Sequence, residues 1–435
     1  MYISPFLLMA FLAVFSISAH ADLSLEKALT EALAHDHWLV SNQYQEQAIR
    51  SGAIASGQLP DPKLRIALAN LPTDSFDFNQ ENMTQLQFGV SQQFPRGDSL
   101  EIKQRQLNLM ADQKQLERYE RRALIKKKVG QLWVQLHQYQ EQIKLLVDNQ
   151  HIFNELLTIS QANYRSGKIQ GYELLDAELK LTQLQDRIAK LEQLKNQTHG
   201  RLSEWLTIHG RVGSLSSELP EIKMILTDEQ LNSEDKVYQA LLRHPVLQRL
   251  EQGVDIQQKA VDLADEAYEP SFKIDANYGY RDDMSMGIER SDFFSMAVTF
   301  DLPIFPEKRQ DAHRNAAINL REAAKEQRLL NARQMKSTFD FERANLAGLE
   351  QRIIIYNRGF LRQLKEKRIA ALKAYGASTA RFADISAAAI SELEVKLQKV
   401  ALLHERASTL FRLNYLLAGV DPELRLLSPR YLESK

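Results

Sequence analysis

Four stretches of the chain alternate between apolar and polar residues. Leu64, Ile66 and Leu68 alternate with Arg65, Ala67 and Ala69, and Leu86, Phe88 and Val90 with Gln85, Gln87, Gly89 and Ser91. Phe272, Ile274, Ala276, Tyr278 and Tyr280 alternate with Lys273, Asp275, Asn277 and Gly279. Phe294, Met296, Val298, Phe300 and Leu302 alternate with Ser295, Ala297, Thr299 and Asp301. Successive side chains of a strand point to opposite faces, so this period predicts strands at 64–71, 84–94, 271–281 and 292–302, each apolar on one side. Polar hairpin loops, Pro72 to Met83 and Asp282 to Ser291, join them in pairs. A membrane barrel strand has this pattern, and so does a half-buried strand of a soluble sheet.

Elsewhere the period is that of a coiled coil. Ile125, Val129, Leu132, Leu136, Tyr139, Ile143 and Leu146 step by 4, 3, 4, 3, 4, 3. Such a seam predicts lengthwise packing of helices. Leu174, Ala177, Leu181, Leu184, Ile188 and Leu191 form a second seam, and Ile390, Leu393, Leu397 and Val400 a third. No proline interrupts 98–165 or 307–375. A helix of nearly 70 residues is on the order of 100 Å long and must pack against others of its kind. Returning helices are expected at 171–206 and 380–418. An ordinary antiparallel helical hairpin satisfies the seams equally well.

The pattern is written twice. His35 and His244, each closing an Ala-Leu-containing helix, lie 209 positions apart, and Pro60 and Pro270 are separated by 210. Pro95 and Pro306 are separated by 211, as are Tyr164 and Tyr375. The two repeats span 22–231 and 232–419, with a tail at 420–435. Each reads as helix, strand, strand, long helix, turn, helix, which gives a mainly α chain with a small β part. Four strands cannot close a barrel around a lumen, and an open sheet edge in lipid leaves backbone groups unpaired at several kcal/mol each. Either the sheet is soluble or several chains pool their strands. Three chains supply twelve strands and twelve helical segments, enough for a barrel continuous with a helical tube. Pro60, Pro62, Pro95, Pro270, Pro303 and Pro306 mark the strand–helix junctions.

Composition removes several alternatives. The 435 residues carry 55 basic and 56 acidic side chains and no cysteine. That balance gives no bulk attraction to nucleic acid or anionic lipid. Without cysteine there are no disulfides, no thiolate metal sites and no lipidation thiol. Phe6 to Ile17 is almost wholly apolar and leads to Ala19-His20-Ala21, so 1–21 reads as a signal peptide, although its start lacks Lys or Arg. No later stretch is apolar enough for a membrane helix.

One block of local motifs is more specific. It comprises Leu59-Pro60-Asp61-Pro62-Lys63-Leu64, Asn70-Leu71-Pro72, Met83-Thr84 and Gly89-Val90-Ser91-Gln92-Gln93-Phe94-Pro95-Arg96-Gly97. With the doubled organisation, it resembles the TolC family of outer-membrane efflux proteins across essentially the whole mature chain. The Leu59–Gly97 run looks like that family's heavy-metal branch, the partners of cobalt–zinc–cadmium or copper exporters. The resemblance implies a homotrimer in the outer membrane of a Gram-negative bacterium, with a twelve-stranded β-barrel above a long periplasmic α-helical barrel. It implies a periplasmic adaptor (membrane fusion protein) and an inner-membrane RND pump as partners, beside outer-membrane lipid. It implies no enzyme activity and no cofactor. An equatorial region would draw on Gly210 to Ser233 and the tail after Gly419.

In the family the tunnel narrows at the turns between long and returning helices, which fall here on Tyr164 to Lys168 and Tyr375 to Thr379. Gly167 and Gly376 offer the permissive backbone that a sharp turn needs. By family position Asp384 matches an aspartate ring of the closed aperture, Tyr375 a latch tyrosine and Glu173 its acidic partner, with Asp176 and Arg381 nearby. The family's latch arginine falls on Ala380 and a second acidic ring on Ala387, two departures. Acids at a helix start also stabilise the helix dipole, which is the competing reading of Asp384 and Glu173. Ser166, Gly167, Lys168, Ala377 and Ser378 are the expected adaptor-docking residues.

His35, His37, His137, His151, His313 and His404 are scattered, and no motif gathers them into a metal site. Met83, Met284 and Met286 fall in the outer loops, where a passing contact with soft metal ions competes with an ordinary loop role. No tightly bound metal is expected. Two alternatives stay open: a duct for drugs or type I secreted proteins, and a soluble periplasmic coiled-coil scaffold.

Overall fold

The computed structural model describes residues 23–206, 215–284, 287–376 and 379–425. The expected signal peptide at 1–21, Met286, Ala377, Ser378 and the tail beyond 425 lie outside the described residues. The chain is mainly helical, with one small antiparallel sheet, and its element order repeats. The first half runs α1 (Leu25–Ala34), α2 (His37–Ser56), β1 (Lys63–Ala69), β2 (Gln85–Phe94), α3 (Ser99–Arg165) and α4 (Gly171–Ser203). The second runs α5 (Asp228–Leu231), α6 (Glu234–Leu242), α7 (Pro245–Asp265), β3 (Ser271–Tyr280), β4 (Phe293–Asp301), α8 (Gln310–Ile355), α9 (Leu361–Gly376) and α10 (Phe382–Leu416).

Two differences from the sequence reading have local causes. The helix that opens each half is a pair, and the echoed histidines mark the break. Asp36 caps α2 by accepting from the Leu39 amide at 2.9 Å. His244 caps α7 through Nδ1, which accepts from the Val246 amide at 3.2 Å, with Pro245 at the first helical position. The long helix expected over 307–375 starts only at Gln310 and carries a π turn at Tyr356–Phe360, between α8 and α9. That turn keeps Tyr356 buried among Leu349, Val395 and Leu402, where its hydroxyl donates to Gln398 Oε1 at 2.6 Å. Its counterpart α3 runs unbroken for 67 residues.

By internal packing the chain forms two units. The first draws on 23–35, 125–206, 215–223, 346–376 and 379–411. Its core is the coiled-coil seam. Leu146, Phe153, Leu184, Leu393 and Leu397 bury one another, with Leu181, Ile188, Leu191 and Ile390 around them. Ile125, Val129, Trp133 and Leu136 continue the buried stripe along α3.

The second unit draws on 36–124, 224–284, 287–345 and 412–425 and holds the sheet. Charged groups join α2 to α3 there. Glu46 receives hydrogen bonds from Arg50, Gln115 and Arg118, while Arg121 pairs with Asp36 at 2.8 Å. The strand order is β1-β2-β3-β4, antiparallel throughout, so β1 and β4 are open edges. Register aligns the apolar positions across the sheet: Ile66 faces Phe88, which faces Tyr278, which faces Phe294. Leu64, Val90, Ala276 and Met296 form a second row, and Phe94, Phe272 and Phe300 a third. The opposite face carries rows such as Arg65, Gly89, Asn277 and Ser295. Phe293 is its one aromatic exception, covered by the Arg281 guanidinium 3.8 Å from the ring centroid.

Candidate functional site

Two features of the chain point to function. The first is the apolar sheet face, much of which no other described residue covers. Leu64 is 70 % exposed and Phe294 71 %, and every residue of β4 is exposed. An apolar surface of this extent marks contact with another protein or a membrane. Among the described residues, no helix is long and apolar enough to cross a membrane.

The second feature is the pair of turns in the first unit. At the end of α3, the Lys168 amide donates to the Asn163 carbonyl at 2.9 Å and the Gly167 amide to that of Tyr164 at 3.0 Å. This is a Schellman closure, with Gly167 in the left-handed region at φ +71°. A Cβ at Gly167 would meet nothing within 4 Å, so the glycine serves backbone geometry and not packing. Ser166 and Lys168 are exposed beside it, and the Ser166 hydroxyl donates to the Asn163 carbonyl at 3.0 Å. In the second half, Gly376 is the last residue of α9. Thr379 donates from its amide to the Ala374 carbonyl at 2.9 Å. Ala377 and Ser378 fall outside the described residues.

Asp384 lies in the first turn of α10, and its carboxylate accepts from the Arg381 amide at 3.0 Å. That is the reciprocal half of a capping box, so Asp384 steadies its own helix start. The Arg381 guanidinium stands 3.8 Å from the same carboxylate oxygen, and both side chains are exposed. Glu173, 211 positions earlier, holds the same place in the first turn of α4, and Asp176 follows in the next turn. Asp384 and Glu173, two of the three acids expected at the gate, are thus repeat equivalents.

Tyr375 packs against the cluster of Leu156, Ala177 and Ile385, which joins α3, α4, α9 and α10. Asn163 donates to its hydroxyl. Burial raises the phenol pKa and the Glu173 carboxylate adds to this, while the Asn163 bond opposes it. The structure therefore brings Tyr375 and Glu173 into one electrostatic neighbourhood, and it adds Asn163, which sequence reasoning missed. Arg368 and Glu392 were missed as well. Glu392 is buried, which raises its pKa, yet hydrogen bonds from Lys396 at 2.8 Å and Arg368 at 2.6 Å outweigh burial and hold it low. Among the described residues no group of three or more His, Asp or Glu is placed to hold a metal ion.

No family model matches the sequence, and no curated protein does. Solved structures share the fold. The outer-membrane channel CmeC of Campylobacter jejuni superposes with a TM-score of 0.74 at 14 % identity over 91 % of this chain and 86 % of that one. The outer membrane protein VceC of Vibrio cholerae gives 0.72 at 15 % identity over 91 % and 96 %. CusC, whose structures describe changes accompanying folding and transmembrane channel formation, gives 0.75 at 15 % over 91 % and 92 %. The chain thus has the TolC-like fold of outer-membrane channels, as its sequence resemblance implied.

Proposed function

We propose that three copies of this chain form an outer-membrane duct of a tripartite efflux system in a Gram-negative bacterium, a conduit and not an enzyme. The observation that carries this reading is the four-stranded sheet with one exposed apolar face, one polar face and two open edges. Backbone groups at an edge cannot stay unpaired in hydrocarbon, so β4 of one copy must meet β1 of the next until the ring closes. Strands of 7 to 10 residues suit the roughly 25 Å apolar band of such barrels. The polar face then lines a water-filled lumen, and the hairpin loops lie outside the cell.

At the periplasmic end, Asp384, Glu173 and Asp176 become rings of three, which attract cations and narrow the aperture. Tyr375 and Arg381 complete the gate. Ser166, Gly167, Lys168, Ala377 and Ser378 form the docking surface for a periplasmic adaptor, which links the duct to an inner-membrane RND pump. Heavy-metal cations are the cargo we favour, on the strength of the Leu59–Gly97 run.

Fractionation of cells tests the duct. A heat-resistant trimer in the outer membrane is the expected result, and a detergent-independent monomer in the periplasm overturns the reading. Growth of a deletion strain tests the cargo. Sensitivity to zinc, cobalt, cadmium or copper is expected, and sensitivity to drugs alone would replace the metal assignment.

A further inference from the structure

Phe305 is the most exposed large apolar side chain among the described residues, at 84 %, and Ile304 beside it is 68 % exposed. The chain has just left β4 through a tight turn in which the Ile304 amide bonds the Leu302 carbonyl at 3.0 Å. These residues therefore lie at the helix-side end of the apolar sheet face, beyond the aromatic row of Phe94, Phe272 and Phe300. Lys308 and Arg309 follow, both exposed, and neither joins an ion pair among the described residues. Glu307 and Asp311 share this turn, and Asp311 accepts from the Tyr268 hydroxyl, so Lys308 and Arg309 are the cations that the turn presents to solvent.

The equivalent segment of the first repeat is built the other way. Phe94, 211 positions before Phe305, stacks on Phe272 with ring centroids 4.7 Å apart. Arg96 turns inward, donates to the Ala267 and Glu269 carbonyls at 2.7 and 3.0 Å, and pairs with Asp301. The first junction stacks its ring on a neighbour in the sheet face and ties its cation to two carbonyls and Asp301. The second leaves both pointing to solvent, as an interfacial anchor does: apolar rings enter the acyl boundary and nearby cations meet headgroup phosphates.

We propose that Ile304, Phe305, Lys308 and Arg309 form a docking surface for an anionic phospholipid at the periplasmic rim of the barrel. The proposal rests on the membrane reading of the sheet and deepens it. Continuity with the apolar face supplies the place, and the two exposed cations supply the preference for an anionic headgroup.

The chain has no native cysteine, so single labels are unambiguous. Met296→Cys, at mid-sheet, and Phe305→Cys are nitroxide-labelled and reconstituted in vesicles of phosphatidylethanolamine and phosphatidylglycerol. Ile304→Cys substitutes if Phe305→Cys fails to assemble. Collision with oxygen reports lipid, and collision with a water-soluble nickel chelate reports solvent. Both sites are expected to favour oxygen, with position 305 shallower. In parallel, phosphatidylglycerol and phosphatidylcholine co-purifying with the protein are quantified for the native chain and for Lys308→Gln/Arg309→Gln. The double variant is expected to hold phosphatidylglycerol about tenfold more weakly, with phosphatidylcholine unchanged. A label at 296 that favours nickel overturns the membrane reading itself. A label at 296 in lipid with position 305 in water, or shielded by a neighbouring copy, overturns this proposal alone. So does unchanged phosphatidylglycerol retention in the double variant.

Discussion

His137 on α3 and His404 on α10 meet 2.8 Å apart, Nδ1 to Nε2, both rings buried. His404 donates from Nδ1 to the Val400 carbonyl at 2.7 Å, which leaves its Nε2 to accept from His137. His137 Nε2 has no partner among the described residues, and the ring stacks on Trp133. Burial lowers the pKa of both rings. For His137 the Glu141 carboxylate and the backbone at Ser217 and Ser216 oppose it, and His404 is brought down to about 4.

A histidine held neutral in the fold destabilises it in acid, because the unfolded chain takes up protons first. The loss begins as pH falls through about 6.5 and levels off near 4, where His404 itself titrates. From that shift the loss is about 3 kcal/mol. His404→Gln keeps an acceptor for His137 and carries no charge. Thermal unfolding at pH 7.5 and pH 5 is expected to separate the native chain strongly from itself, and the variant much less. Equal pH dependence in the two proteins would discard this account.

Gly130 is the only glycine in α3 and lies against the Phe411 ring of α10. A Cβ there would stand 2.5 Å from the ring carbons. Helix propensity favours Gly130→Ala by about 1 kcal/mol, and overpacking a core costs about 1–3 kcal/mol. Phe411 is itself buried and has little room to yield. A net loss of about 1 kcal/mol is expected in chemical denaturation, whereas Gly200→Ala, with open space around its Cβ, is expected to gain stability. A stabilised Gly130→Ala would show that the ring moves aside freely.

Much of this fold was legible because its periods are clean. Strand alternation survives in the register of all four strands, and the seam positions Ile125, Val129, Leu136, Leu146, Leu393 and Leu397 are buried. What stayed hidden depends on pairs far apart in sequence. His137 and His404 are 267 positions apart and Asn163 and Tyr375 are 212, and no local spacing joins them. The π turn was equally invisible, since a lone Gly359 also occurs in ordinary helices, as Gly130 does in α3, and only the packing of Tyr356 distinguishes the site. At the candidate gate, sequence position supplied Asp384, but its hydrogen bond to the Arg381 amide is a backbone fact.

Glu46 gives a second acid window, distinct from that of the histidines. Burial raises its pKa, but hydrogen bonds from Arg118, Gln115 and Arg50 outweigh it and hold the carboxyl low. A depressed carboxylate stabilises the fold above its unfolded pKa of about 4.5, and the contribution is lost as pH falls through the lower folded value. Glu46→Gln leaves two guanidinium groups with a neutral acceptor. A cost of about 1–3 kcal/mol is expected at pH 7. Once pH falls below that folded value the denaturation curves of the two proteins are expected to converge, because the native carboxyl is then neutral too. A constant gap across pH would assign the effect to packing alone.

The gate reading and the helix-capping reading of Asp384 part company in one substitution. Asp384→Ala removes both the carboxylate charge and the acceptor for the Arg381 amide, so a leaky channel in that variant would have two explanations. Asp384→Asn keeps an oxygen for the amide and removes only the charge. Loss of an N-terminal cap acceptor costs about 0.5–2 kcal/mol of local helix stability, which asparagine largely retains. If a ring of three carboxylates holds the aperture, Asp384→Asn is expected to raise the closed-state conductance in planar bilayers and weaken cation preference as much as Asp384→Ala does. Tyr375→Phe, which frees Asn163, is expected to raise conductance without changing ion preference. Native conductance in Asp384→Asn, with leakage confined to Asp384→Ala, would reduce Asp384 to a helix cap and remove it from the gate.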